Sequence, residues 1–587
     1  MKFKATLLLV IFISAVVWSQ ESPRWNNNPS MVIYPSGNYV ALPNVANAPY
    51  IPPVMIPRSI VTPQEMYLVF PNIMVLPNGN QQTELYLAIS RSTPTFMFGS
   101  SNRTSGANIN SGSYITTDAG ISWFGQDFIN NGNTNNQRGD PGPTIGMGNR
   151  VIFSHLTSNT NFGALLGIGA EWSTNFGQNF SATVSLVTDG NADKNLSGAD
   201  DHPSSPFFGN FYTAWTSFST SPANSRFSRT VDGGVTWSPQ IIINTTPAGH
   251  NAQGHDVVAR HDGRVVVTWT AGITSPPFTE DFVGVAYSVN GGVSFTAIEN
   301  AFDDNGSRST SFNGWGIRTN GFPRIAVDKS GGARNGYLYI VVSQLNLAPA
   351  GSDADVVLHR SIDGGVTWGA GVRVNQDALN NGKVQFFPCV SVDEAGGVNV
   401  AYYDNRAFPS VGDSCSVYIS RSIDGGLTFT DLEVADHHFR PKPTPGLGGG
   451  YMGDYIGIAS GLGKIWAFWM DDKTPGTNFQ AWAGYITYIP VGVQGNSEIP
   501  KYYALSQNYP NPFNPSTKIT YSVPKSGNVL ISVFDMLGRE AATLVNETKE
   551  AGIHSIDFNA SNLSSGIYFY RIDAGSFTDV KKMMLIK

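Results

Sequence analysis

A chain of 587 residues is too long for one ordinary domain, although a repeat architecture can use most of it as a single body. Only 13% of residues are charged, 12% are aromatic and 63 are glycine, which excludes a disordered chain and describes many short strands with tight turns. The net charge of -7 leaves no basic footprint for nucleic acid and speaks against an anionic membrane surface as partner.

Residues 1–19 read as a signal peptide: Lys2 and Lys4 precede the apolar run Leu7–Val17, and the small residues Val17 and Ser19 stand before Gln20. The run is too short to span a bilayer, no Cys follows it for lipid attachment, and no other apolar run is long enough, so no transmembrane anchor is expected. Residues 20–63 form a lead-in rich in Pro and Asn, extended rather than sheet-forming because proline lacks the ladder donor.

From 64 to 490 two patterns alternate. The first is a strand, a tight turn and a second strand ending in an aromatic. Its copies are Thr83–Gly99, Gly142–Leu156, His202–Trp215, Gly254–Trp269, Phe322–Val342, Phe387–Tyr403 and Gly453–Trp469. The second is an octet: Ser/Thr, any residue, Asp/Asn, any, Gly, any, Thr/Ser, aromatic. It stands at Thr116–Trp123, Thr230–Trp237, Ser288–Phe295, Ser361–Trp368 and Ser422–Phe429, with a worn copy at Ser173–Phe180. Its acidic or amide position is Asp118, Asn175, Asp232, Asn290, Asp363 and Asp424, spaced 57 to 73 residues apart. A repeat of that length means stacked or radially arranged units. Each octet reads as a hairpin turn in which the Asp or Asn accepts backbone N–H groups and the Gly takes a positive φ.

These octets resemble the Asp-box, or BNR repeat, of the sialidase-type β-propellers. The resemblance implies an all-β fold: a propeller of seven blades, with six as the alternative, and Asp-boxes that are folding devices on the face away from the ligand. Ring closure also removes free sheet edges. On this reading Cys389 and Cys415 lie two strand spacings apart, about 9–10 Å, beyond the ~7 Å a disulfide bridges, so two free buried thiols are expected.

Residues 491–503 are a linker, and the composition changes again over 504–587. Asn508–Val523, Asn528–Val545 and Gly552–Ile572 are short strands with polar turns, as in a small immunoglobulin-like β-sandwich. The stretches Tyr509-Pro510-Asn511-Pro512-Phe513, Phe534–Glu540 and Leu563–Tyr570 closely resemble the type A C-terminal sorting domain of the type IX secretion system. That resemblance implies Sec export, passage across a Gram-negative outer membrane, and the secretion machinery as a partner. The protein would then be secreted or held at the cell surface.

Chemistry is expected on the loops joining blades and joining their second and third strands, because long loops on a rigid scaffold carry sites. The candidate ligand-binding residues there are Asp201, His202, Arg318, Tyr403, Asp404, Arg406, Asp454 and Asp471. Asp404 with Arg406 could clamp a carboxylate or simply brace its own loop. His437 and His438 are adjacent, which rarely converges on one metal, and no metal is assigned. Asp303-Asp304-Asn305-Gly306 could hold calcium but lacks EF-hand spacing, so calcium stays open and no other cofactor is called for.

A sialidase clamps its substrate carboxylate with three arginines and uses a Tyr activated by a Glu, with an Asp as acid/base. The family's first Arg lies in a Phe-Arg-Ile-Pro motif that this chain lacks, since Phe322-Pro323-Arg324-Ile325 and Ile56-Pro57-Arg58 have the wrong order. No catalytic residue carries over. The expectation is a monomeric extracellular propeller that binds glycans or glycoproteins. The alternatives are a sialidase-like exo-glycosidase and a scaffold without a small ligand. Three axial arginines beside a Tyr–Glu pair would favour the enzyme.

Overall fold

The computed structural model describes residues 31–33, 39–41, 57–62, 64–105, 108–126, 129, 136–159, 163–276, 278–308, 314–408, 414–473, 478–490, 503–508, 510–575 and 577–587. The signal peptide, most of the lead-in and nearly all of the linker lie outside these residues. The chain divides into two compact units, 1–58 with 69–486 and 59–68 with 487–587.

The larger unit is all β. Among the described residues it holds, besides the small hairpin of Met31–Ile33 with Tyr39–Ala41, seven larger antiparallel sheets in chain order. Their innermost strands are Gln81–Ile89, Gly142–Ile145, Ala192–Ala199, His250–Ala259, Arg324–Val327, Gln385–Val392 and Gly457–Gly461. Each of these strands neighbours the next, and the last neighbours the first, so they close a ring around an axis. Ile73–Val75, from before the first sheet, pairs with Ala481–Ala483 of the last and joins the two ends of the ring. A ring of radial sheets of this kind is a β-propeller.

Apolar layers between neighbouring sheets hold the ring. Tyr212 and Phe227 of sheet 3 pack against Val257, Val267 and Trp269 of sheet 4. Tyr339, Val341 and Leu358 of sheet 5 meet Val390, Val400 and Tyr402 of sheet 6. Burying each such side chain contributes about 1.5–3 kcal/mol. Cys389 and Cys415 are buried and free.

The octets follow the third strand of sheets 1 to 6, at the end of the ring where the innermost strands finish. At Asp363, Oδ1 accepts from Ser361 Oγ at 2.8 Å, Val366 N at 3.1 Å and Thr367 N at 2.9 Å, while Oδ2 accepts from Thr367 Oγ1 at 2.6 Å. Asp118, Asp232 and Asp424 repeat this pattern, Asn290 keeps the Oδ1 bonds but donates its Nδ2 to Ser294 Oγ, and the worn Asn175 keeps its bonds to Ser173 Oγ and Asn179 N. Gly364 and Gly365 have φ of 81 and 91, the region where a side chain is strained. These turns use their carboxylates internally.

An arginine of the preceding sheet then donates to the carbonyls of each later turn. Arg150 reaches Gly233 O at 2.7 Å, Arg229 reaches Gly291 O at 3.1 Å, Arg264 reaches Gly364 O at 2.9 Å and Arg360 reaches Gly425 O at 3.1 Å. The repeat thus supplies both a turn and a clamp between sheets.

In the smaller unit, Ala504–Leu505, Ser516–Val523 and Gly552–Asn559 form one sheet, and Gly527–Phe534, Glu540–Lys549, Gly566–Ala574 and Phe577–Leu585 form another. Alternate residues such as Thr517, Ile519, Tyr521 and Val523 turn inward. Ile519, Val529, Ile531, Val533, Tyr570 and Met583 share one core between the sheets.

Candidate functional site

The opposite face of the ring, where the innermost strands begin, carries a different device. Four of those strands contain a register shift, between Thr83 and Tyr86, Asp193 and Leu196, Gln253 and Asp256, and Phe386 and Cys389. The residue inside each bulge is left-handed: Glu84 at φ 52, Lys194 at 53, Gly254 at 69 and Phe387 at 51. Asp140, just before its strand, has φ 49. Bulges re-aim a side chain, and each non-glycine residue held this way costs about 1–3 kcal/mol. Three charged residues carry that strain toward one place.

They meet in a cavity of about 290 Å³ lined by residues that include Glu84, Asn102, Arg138, Asp140, Asp193, Lys194, Arg308, Arg318, Tyr451 and Asp454. Lys194 Nζ stands at its centre, 2.8 Å from Asp454, 3.0 Å from Glu84 and 3.3 Å from Asp140. Arg318 Nη2 donates to both Asp454 oxygens at 2.7 Å. Asn102 Nδ2 donates to Glu84 Oε2 at 2.8 Å and to Tyr451 Oη at 3.0 Å, joining the two.

Burial works against the Lys194 charge, but Asp140, Asp454 and Glu84 outweigh it and lift its pKa well above the ordinary value. Asp454 is also opposed by burial, yet Arg318 and Lys194 hold its carboxyl far below the usual range. Burial dominates at Glu84 and raises it despite Lys194. Asp193, half-buried at the cavity wall, is pushed up to about 7, first by burial and then by the charge of Asp140. Their environments thus drive these neighbouring carboxylates apart.

Of the eight candidate residues, the structure brings only Arg318 and Asp454 to this cavity. Asp201 and His202 lie at the other end of the ring. The stretch expected as a loop before them holds two strands, Val184–Thr188 and Ala192–Ala199, so Asp201 follows an innermost strand instead of preceding one. There Asp201 pairs with Lys329 at 2.5 Å, and His202 packs edge-on to His261. Tyr403 is buried and donates to Met470 O at 2.7 Å.

Asp404 and Arg406 brace their own loop, with Arg406 Nε 2.7 Å from Asp404 Oδ2 and a further ion pair to Asp431. Asp471 is buried, accepting from Trp469 Nε1 at 2.6 Å and lying 2.8 Å from His437 Nε2. His437 is sandwiched between Asp436 and Asp471, while His438 turns to Glu433 at 3.0 Å, so the two histidines do not converge. Among the described residues no group of three or more His, Cys, Asp or Glu side chains is placed to hold a metal ion.

Glu84, Asn102, Arg138, Asp193, Lys194, Arg308 and Tyr451 were absent from the candidate set. One signal was available. Aligning the openings of the innermost strands puts Glu84, Lys194, Gly254 and Phe387 at one repeat position, and a charged residue inside a buried strand needs a partner.

The larger unit is therefore a β-propeller with a charged axial cavity. The tail is more specific: residues 507–587 match the family described as a secretion system C-terminal sorting domain. The chain thus carries the tail of a type IX export substrate, which directs a protein out of the cell or to its surface. No curated protein matches the sequence.

Solved structures that it resembles include a Dyadobacter fermentans protein of unknown function, at 10% identity and TM-score 0.42, covering 72% of this chain and 99% of that one. A Fusarium graminearum α-L-arabinofuranosidase aligns at 13% identity and TM-score 0.40, covering 60% and 98%. The NanB sialidase of Streptococcus pneumoniae aligns at 9% identity and TM-score 0.35, covering 70% of each chain. No helix among the described residues is long and apolar enough to cross a membrane.

Proposed function

We propose that this exported propeller binds extracellular glycans or glycoproteins in the axial cavity, with acidic saccharides as its preferred ligands. The supporting observation is the lining. Arg138 and Arg308 offer cationic donors beyond Lys194 and Arg318, which are paired with the lining carboxylates Glu84, Asp140 and Asp454, and Asn102, Gln253, Asn320 and Tyr451 offer neutral polar groups. Sugars present hydroxyls and, in uronic and sialic acids, a carboxylate, for which arginine's fork geometry is suited. A scaffold without a small ligand has no use for such a cavity.

The test is calorimetric titration of the secreted chain with neutral and uronate-containing oligosaccharides. Binding of the acidic series, weakened about tenfold or more by Arg308→Ala, is the expected result. No binding of either series contradicts the reading.

A specific observation favours the enzymatic alternative as a second reading. Three arginines line the cavity with Tyr451, and Asn102 links Tyr451 to Glu84. Asp193, near pKa 7, has the ionisation an acid/base requires. An exo-glycosidase of sialidase type would release the fluorophore from an aryl sialoside and lose turnover in Tyr451→Phe and Asp193→Asn. An absence of turnover on sialosides and other aryl glycosides, with oligosaccharide binding intact, leaves the binding reading alone.

A further inference from the structure

Beside the cavity, between sheets 4 and 5, two carboxylates are buried without enough partners. Asp304 is 4% exposed and neither of its oxygens has a hydrogen-bond partner. The N–H of Asn305 lies near it but outside bonding geometry. Glu280 is 1% exposed; its Oε2 accepts from Arg308 N at 3.2 Å, while Oε1 has no partner. An unpaired buried carboxylate costs several kcal/mol. Protonating Asp304 removes its charge but leaves its carbonyl oxygen without a donor. A bound cation satisfies both oxygens.

The surroundings are built close. Glu280 opens the third strand of sheet 4 and Asp304 follows the fourth, Thr296–Asp303. Gly306 and Gly321 complete the cradle. A Cβ on Gly306 would lie 2.3 Å from Glu280 Oε2, and one on Gly321 would lie 2.8 Å from Gly306 Cα and 3.2 Å from both Asp304 Oδ2 and Ser343 O. Two carboxylates and a main-chain carbonyl form an all-oxygen donor set, which suits a hard cation rather than zinc. Donors drawn from separate chain segments favour calcium over magnesium, which demands a near-ideal octahedron and sheds its water reluctantly. Burial, followed by the charge of Glu280, pushes the Asp304 carboxyl well up, and burial raises Glu280 as well, against the opposing charge of Arg308.

We propose that Asp304 and Glu280 hold a calcium ion between sheets 4 and 5. The site has two carboxylates, one fewer than a cluster of three acidic or imidazole ligands, and completes its shell with neutral oxygens. It stands independently of what the cavity binds. The ion would fix the connector that carries Arg308 and, just before Gly321, the segment with Arg318 and Asn320, so it would also stiffen one wall of the cavity.

The test uses the full secreted chain, treated with chelator and then titrated with CaCl2 or MgCl2 alone, followed by calorimetry and thermal unfolding. Calcium is expected to bind at about one equivalent and raise Tm, with magnesium at least ~10-fold weaker. Asp304→Asn and Glu280→Gln should abolish the heat and the Tm rise. Asp281→Asn, altering the exposed neighbour that pairs with His250, should keep both. Absence of calcium binding by the unmodified chain overturns the proposal, as does binding that survives both substitutions. If the variants fail to fold, the calcium content of the unmodified chain after dialysis decides: about one ion per chain supports the site, and none contradicts it.

Discussion

The two faces of the propeller solve opposite problems. On one, each Asp or Asn of the octet turns satisfies its neighbours within four residues, and an arginine from the adjacent sheet holds several of the turns. On the other, Glu84, Asp140, Lys194 and Asp454 come from four different sheets, two of them through strained bulges, and none is satisfied locally. The first face is assembled from repetition and is self-sufficient. The second repeats a bulge in four strands but fills it with different residues, stores strain and gathers charge. What distinguishes the two faces is where each charged group finds its partners: inside the turn on one, across sheets on the other.

That contrast breaks most severely at Lys194. Replacing it with Met leaves Glu84, Asp140 and Asp454 facing one another without their shared cation. The expected loss is about 3–5 kcal/mol, read by denaturant unfolding of the chain. Arg318 partly compensates Asp454, so Arg318→Ala should cost less than Lys194→Met; the reverse order would mean the lysine is not the hub.

Asp193 sharpens the comparison through pH. Its folded pKa, about 7, lies above the ordinary carboxylate value of 3.8, so the folded state binds the extra proton between those values. Its contribution to stability is present below the ordinary value and is lost as pH rises through about 7. Asp193→Asn should remove that dependence and make the chain more stable than the unmodified one above pH 7. A stability profile unchanged by the substitution would show that Asp193 ionises normally.

The turns should yield the smallest effects. Asp363→Ala removes four hydrogen bonds at an exposed turn and is expected to cost about 1 kcal/mol, as loss of a capping side chain does. The sign of the pH effect is reversed here. Burial opposes the charge of Asp118, Asp232, Asp363 and Asp424, but bonds from Thr or Ser hydroxyls and backbone N–H groups outweigh it and lower their pKa values. Their contribution is present above the ordinary carboxylate value and fades as pH falls through the depressed values. Acid unfolding curves of the chain and of Asp363→Ala should therefore converge at low pH.

The turns were legible because everything an octet needs lies inside it: donor, acceptor, glycine and aromatic. The sorting tail was legible for the same reason, as a run of contiguous motifs. The cavity was not, since Lys194 meets Glu84 across 110 positions and Arg318 meets Asp454 across 136. Arg318 and Asp454 are legible because they lie on loops, where a rigid scaffold carries its sites. Glu84 and Lys194 are not, because they sit inside strands, where the bulge that turns them inward leaves no strong local mark. Asp201 and His202 lie on the other face from the one expected, because the innermost strand of sheet 3 is Ala192–Ala199, upstream of the hairpin expected at His202–Trp215.

The most direct test of the central claim, that the axial cavity is a binding site for acidic glycans, is calorimetric titration of the full secreted chain with uronate-containing oligosaccharides, comparing the unmodified chain with Arg308→Ala and with Asp363→Ala on the opposite face. The account predicts saturable binding that falls about tenfold or more in Arg308→Ala and is unchanged in Asp363→Ala. Binding that is equally strong in Arg308→Ala, or that is lost only when the opposite face is altered, would contradict it.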